Sequence, residues 1–345
     1  MFAKYFSGSI IFTLVALAVA AWVGWDNGGT GAAVLQTLFI VAVLGVLEVS
    51  LSFDNAVVNA TVLRDMDAVW RRRFLTWGIA IAVFGMRVVF PLVIVAVIAQ
   101  ISPWAAVMMA ATDPAEYARV LTSAHLTVSA FGGAFLAMVG LKHFIRHKRD
   151  EFWLEVFERP LNRLGKIEAV ELALVMMVLY GVSRWLPPEG QLEFIVAGMF
   201  GLLSYIAVDG ISALLEDNGD RTTGVVVRSG LGSFLYLEVL DASFSFDGVI
   251  GAFALSTNLI VIALGLGIGA MFVRSLTIWL VDEGTLTEYR YLEAGAFWAI
   301  LALAAIMFLQ AVAHIPEVVT GLIGAGFIGL AFANSVQYNR RPPGP

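Results

Sequence analysis

Cysteine is absent from all 345 residues, which excludes disulfides, thiolate metal sites and cysteine catalysis. Histidine is scarce: His125, His143, His147 and His314 lie scattered and show no H-E-x-x-H or comparable metal spacing. Charge is scarce too. Only 14% of the residues are charged, where a soluble chain carries roughly 25%. A net charge of −6 says little about partners here, because the position of each charge in a membrane protein matters more than the sum. No nucleic-acid partner is expected. What is abundant is apolar: hydrophobic residues make up 59% of the chain, in long runs that recur from end to end. The class is an all-α, polytopic transmembrane helical bundle in a lipid bilayer.

Apolar runs of about 17–25 residues give ten expected helices, near 8–25, 34–63, 75–100, 123–145, 168–187, 192–215, 229–256, 258–281, 292–313 and 318–337. The second and seventh runs exceed a straight span, so each is expected to tilt or break. Lys4, the run from Ile10 and the small residues Ala18-Val19-Ala20 share features with a cleaved signal peptide. The run extends to Trp25 behind a single lysine, so a retained span is expected. With the N-terminus in the cytoplasm, sixteen Lys and Arg fall on that side and only Arg119 and Arg184 on the other. That is a strong positive-inside bias. It predicts cytoplasmic N- and C-termini in a plasma (bacterial inner) membrane.

Within these runs an acidic motif appears twice. Glu48-x-x-x-Ser52-x-Asp54-Asn55 is followed about 190 residues later by Asp241-x-x-x-Ser245-x-Asp247, with Glu238 one turn ahead of the second copy. A carboxylate at mid-bilayer costs about 2.5–3.5 kcal/mol on insertion scales. Five facing lipid would exceed the stability of a typical domain, so they must face each other, water or a cation. Five spans separate the copies, an odd number, so the halves have opposite orientation. Arg87 follows Asp54 on the next span as Arg274 follows Asp247. This predicts one transmembrane domain over 1–345 with an inverted repeat. Its halves are about 34–145 and 229–337, joined by a cytoplasmic amphipathic segment at 146–166 and helices over 168–215.

Glu48 and Ser52 share a helix face, as do Asp241 and Ser245. Asp54 and Asp247 lie six residues past the first acid, about 120° around the helix. Bringing both acids to one site requires unwinding near Ser-Phe-Asp, which predicts a break in both helices. Glu48, Asp54, Asn55, Glu238, Asp241 and Asp247 are then candidate metal ligands, supported by Ser52 and Ser245. This all-oxygen set suits Mg²⁺, Ca²⁺ or Mn²⁺ rather than softer metals. Arg87 and Arg274 read as charge partners or gate elements. Asp209, in an apolar run of the sixth span, either joins the pathway or bonds to a neighbouring helix. His314 and Glu317 flank Pro316 at an outer turn. The stretch 146–166, with Phe152, Trp153 and Phe157, reads as a surface helix and a docking place for a soluble cytoplasmic partner.

On Glu48-x-x-x-Ser52-x-Asp54-Asn55 and Glu238-x-x-Asp241-x-x-x-Ser245-x-Asp247, supported by Arg87, Arg274 and Tyr291-Leu292-x-x-Gly295, the chain resembles the TerC family of integral membrane proteins. The resemblance spans about 35 to 335, and the Arg71-Arg72-Arg73 loop and the 146–166 loop mark a divergent branch. It implies Mn²⁺ export, with Ca²⁺ or tellurite resistance in some members, and ligands at the matched acids. The expected function is therefore a secondary transporter exporting a divalent cation, Mn²⁺ or Ca²⁺, by alternating access with proton exchange. No enzyme activity and no cofactor are expected. A membrane scaffold for a metal or tellurite stress-response complex is the alternative. An intramembrane aspartyl protease is a further one, disfavoured because Asp247 lacks a preceding Gly-x-Gly.

Overall fold

In a computed structural model of the chain, the backbone is described for residues 2–64, 66–78, 80–146, 152–216, 230–313 and 315–340. Among the described residues, sixteen α-helices and two π-helical stretches make up an all-helical membrane bundle. They are α1 Phe2–Gly28, α2 Gly31–Leu51, α3 Phe53–Arg64 and α4 Ala68–Arg73, then π-helical Phe74–Gly78 and Ile81–Val89. There follow α5 Phe90–Ile98, α6 Pro103–Thr112, α7 Pro114–Ser123, α8 His125–Arg146, α9 Glu155–Leu164, α10 Val170–Ser183 and α11 Pro188–Glu216. The last are α12 Gly230–Leu255, α13 Leu259–Asp282, α14 Thr285–Glu288, α15 Leu292–Gln310 and α16 Glu317–Asn339.

Each of the ten expected runs is helical. Among the described residues, seven helices are long and apolar enough to cross a membrane. An eighth span is formed if Ala68–Gly78 and Val83–Ile98, bent by 46°, act as one. The difference from ten has physical causes. The α10 helix has only 14 residues, and α12 carries Glu238, Asp241 and Asp247 along its middle. Large apolar side chains such as Leu35, Phe39, Leu322 and Leu330 are exposed on the bundle's outside, where only lipid can cover them.

Local chemistry sets the element ends. Thr30 caps α2 by accepting from the Ala33 N–H at 3.2 Å, and Asn258 caps α13 from Ile260 at 2.9 Å. Gly29, at φ +60°, makes the turn between α1 and α2 that other residues enter only at a cost. The π-helical stretch over 81–89 ends just before Pro91. That residue has no N–H to donate, and its ring crowds the carbonyl four residues back, at Arg87. The widened turn accommodates it.

The predicted break in the second run exists, as a lapse of one residue at Ser52 between α2 and α3. The one predicted in the seventh run does not: α12 continues through Ser245 and Asp247. Gly248 there serves a different purpose, since a β-carbon added to it would lie 3.1 Å from Glu48 Oε2. It admits a neighbour rather than unwinding the helix.

Elements of the two expected halves pack across one another. The α3 helix packs on α13 and α15, while α12 packs on the 81–89 stretch and α8. The pairs α8 with α15, and 81–89 with α13, also meet. Glycines set a close crossing between α2 and α13. A β-carbon at Gly265 would sit 2.5 Å from Leu44 Cβ, and one at Gly269 2.3 Å from Glu48 Cβ. Small residues permit this approach in lipid, and it delivers Glu48 into the bundle's interior.

The segment read as a surface helix contains α9, which packs on α8. Buried Glu158 holds it. The Trp153 N–H and Leu154 N–H donate to its carboxylate at 3.1 Å, and Trp298 Nε1 donates at 2.9 Å. Val156 and Phe157 remain exposed.

Candidate functional site

Four elements meet around Arg87. The last turn of α2 supplies Glu48, the start of α3 supplies Asn55, and α12 supplies Asp241. Arg87 itself stands on the π-helical stretch and is 3% exposed. Its Nη2 donates to Glu48 Oε1 in a short contact, and its Nη1 lies 3.6 Å from Asp241 Oδ2. Ser52 Oγ donates to the same Glu48 oxygen at 3.1 Å, and Asn55 Nδ2 donates to Asp241 Oδ1 at 2.7 Å. Residues 186 positions apart thus share one polar cluster. Buried ions in such a cluster hold only because each has a partner. Removing one costs about 3–5 kcal/mol.

Beside it lies a cavity of about 50 Å³ lined by Asn55, Asn59, Arg87, Glu238, Asp241 and Arg274, with apolar residues of α13 and Phe74-Leu75 completing the wall. A water-sized sphere needs about 10–15 Å³ by the same measure, so several waters or a partly hydrated ion fit. Gly78 makes room for Glu238, whose Oε1 would lie 3.2 Å from a β-carbon at that glycine. Glu238 also lines a second, apolar cavity of about 240 Å³ formed with Met86, Phe90, Phe131 and Val239. Arg274 donates through Nη2 to the Leu75 carbonyl in another short contact.

Four buried oxygens belong to residues that line the central cavity: Asn55 Oδ1, Asn59 Oδ1 and Glu238 Oε1 accept no hydrogen bond among the described residues, and Asp241 Oδ2 has the ion pair with Arg87 Nη1 at 3.6 Å. Each such group costs about 1–3 kcal/mol when nothing satisfies it. Two of them belong to amides and two to carboxylates. Among the described residues no three His, Asp or Glu side chains converge closely enough to hold a metal by themselves. A bound cation would have to draw on amide as well as carboxylate oxygens.

Of the candidate residues, Glu48, Ser52, Asn55, Arg87, Glu238, Asp241 and Arg274 come together around this cluster and cavity. Asp54 does not join them. The one-residue lapse at Ser52 leaves it turned toward α16, its Oδ2 3.2 Å from where a β-carbon of Gly324 would lie. Ser245 is buried within α12, and the side chain of Asp247 lies outside the described residues, as do His314 and the side chain of Glu317. Asp209 is elsewhere: both its oxygens lie 2.6 Å from Lys142 Nζ on α8, so it bonds to a neighbouring helix. Asn59 was not among the expected residues. Its signal is its position four residues after Asn55, on the same face of an otherwise apolar helix.

A model of the family described as "Protein of unknown function (DUF475)" matches residues 53–342. That overturns the TerC resemblance, which rested on short acid-serine motifs that any intramembrane polar site can carry, and with it goes the reason to single out manganese. No curated protein and no solved structure matches the chain. The chain belongs to the DUF475 family.

Proposed function

We propose that this member of a family of unknown function is a membrane carrier for a small hard cation, which it binds in the central cavity. One observation carries the reading: residues lining the same space hold four buried oxygens, three that accept no hydrogen bond among the described residues and one, on Asp241, ion-paired with Arg87. Oxygen-only ligands favour Mg²⁺, Ca²⁺ and Mn²⁺ over Zn²⁺ or Cu²⁺, so the cargo class is a hard divalent ion, with Ca²⁺ and Mn²⁺ as its probes. The packing of the two expected halves across one another supports alternating access about a shared site. Carboxylates of Glu238 and Asp241 serve as charged ligands, and Asn55 and Asn59 replace water around the ion. Export, with protons returning through the same acids, completes the proposal for a plasma membrane whose basic loops lie inside.

The test is accumulation of radioactive calcium or manganese in inverted membrane vesicles. Wild type is compared with Asp241→Asn and Glu238→Gln at matched protein levels. Uptake in wild type and its loss in both variants is the expected result. A wild type that moves neither ion sinks the proposal.

A further inference from the structure

The bridge between Glu48 and Asp241 is made by a cation that the protein itself supplies. Around the central cavity, Glu48, Glu238 and Asp241 carry three formal negative charges, and Arg87 and Arg274 two positive ones. The balance is −1 with Arg87 in place. It is −2 without it. Inside a medium of low dielectric such residual charges are felt strongly. A divalent ion entering beside Arg87 would leave an uncompensated +1 and would meet a guanidinium within the same walls. With Arg87 withdrawn, the same ion would balance the site.

The acids alone would not make this a ligand site. The second observation is that Asn55 and Asn59, 2% and 6% exposed, line the cavity and carry buried oxygens that accept no hydrogen bond among the described residues. They offer oxygens to a cation that Arg87, held by Glu48 and Asp241, does not use. The third is where Arg87 stands. It lies within nine residues of π-helix, a conformation found in well under 1% of residues and concentrated at functional sites. Tightening the turns ahead of Pro91 would rotate the Arg87 side chain about the helix axis relative to Glu48 and Asp241. No such freedom is visible for the other arm of the cluster, since Glu48 is clamped against Gly269.

Resting on the carrier reading above, we propose that Arg87 is a tethered counter-cation which a divalent cargo displaces from Glu48 and Asp241. Ion binding and the Arg87 bridge exclude one another, and the loaded site is charge-balanced for a divalent rather than a monovalent ion. The bridge also closes the site when no cargo is bound.

The experiment measures Mn²⁺ binding to purified, detergent-solubilised full-length protein by loss of the free-ion paramagnetic resonance signal. Arg87→Ala is expected to bind Mn²⁺ on the order of tenfold more tightly than wild type, and added guanidinium ion to compete with Mn²⁺ in that variant but not in wild type. Arg87→Lys, which keeps the charge, should stay near wild type. Unchanged or weaker binding by monodisperse Arg87→Ala, or no competition by guanidinium, overturns the proposal. If Arg87→Ala does not fold, wild type decides: Mn²⁺ must change amide hydrogen exchange within 81–89, and unaltered exchange with Mn²⁺ bound overturns it. A wild type that transports while Arg87→Ala gains no affinity refutes the tethered cation alone. A wild type that neither binds nor transports refutes the carrier reading beneath it.

Discussion

Gly269→Ala adds one methyl group in the middle of α13, nowhere near a loop, yet it should disable the protein. Its β-carbon would lie 2.3 Å from Glu48 Cβ, 2.4 Å from Cγ and 3.0 Å from the Gly45 carbonyl oxygen. Two responses are open. The helices α2 and α13 part, an overpacking cost of about 1–3 kcal/mol. Or Glu48 moves off Arg87 and leaves a buried guanidinium short of one counter-charge, about 3–5 kcal/mol. Parting is the cheaper response, so a loss of about 1–3 kcal/mol is expected, together with a widened Glu48–Arg87 contact. Gly329→Ala on α16 is the control, because no heavy atom lies within 4 Å of its added carbon. Replacing that mid-helix glycine should be neutral or stabilise by up to about 1 kcal/mol. Thermal unfolding in detergent and cation uptake in vesicles are compared for both. If Gly269→Ala unfolds and transports like the control, the packing reasoning that places Glu48 is wrong.

Other consequences are separable. Asn59→Leu removes a buried oxygen that accepts no hydrogen bond among the described residues, so it should leave stability unchanged or raised while uptake falls by about tenfold or more; a parallel loss of both would mark Asn59 as structural. The Lys142–Asp209 pair is 31% and 48% exposed, so its coupling in a double-mutant cycle should stay below about 1 kcal/mol, and Asp209→Asn should transport normally. Glu158→Ala strands three donors at the start of α9 and on Trp298; limited proteolysis within α9 should speed up, and an unchanged cleavage pattern would remove Glu158 from that role.

Much of the bundle was legible because hydrocarbon imposes a single demand, internal hydrogen bonding over an apolar run. All ten runs therefore became helices, and the lapse at Ser52 could be anticipated from Ser, Asp and Asn in an apolar helix. The same letters misled in α12, where Gly248 accommodates Glu48 and the helix stays whole. Composition could not distinguish those uses of glycine, because the difference lies in what approaches from another helix. The acids were legible as a set, for their cost in lipid, but not as partners. Arg87 choosing Glu48 and Asp241, and Asn55 choosing Asp241, are settled by helices far apart in the chain. Asp54 was drawn toward the same site by motif spacing and turned to α16 because one lapsed residue is too little to swing it around. The family resemblance failed for a related reason: two short polar motifs report a shared solvent problem as readily as shared descent.

The most direct test of the central claim is anomalous X-ray scattering from crystals of the protein soaked in Mn²⁺. The account predicts an anomalous peak inside the central cavity, within coordination distance of Asn55, Asn59, Glu238 and Asp241. Peaks confined to surface carboxylates, with that cavity showing none at saturating Mn²⁺, would contradict it.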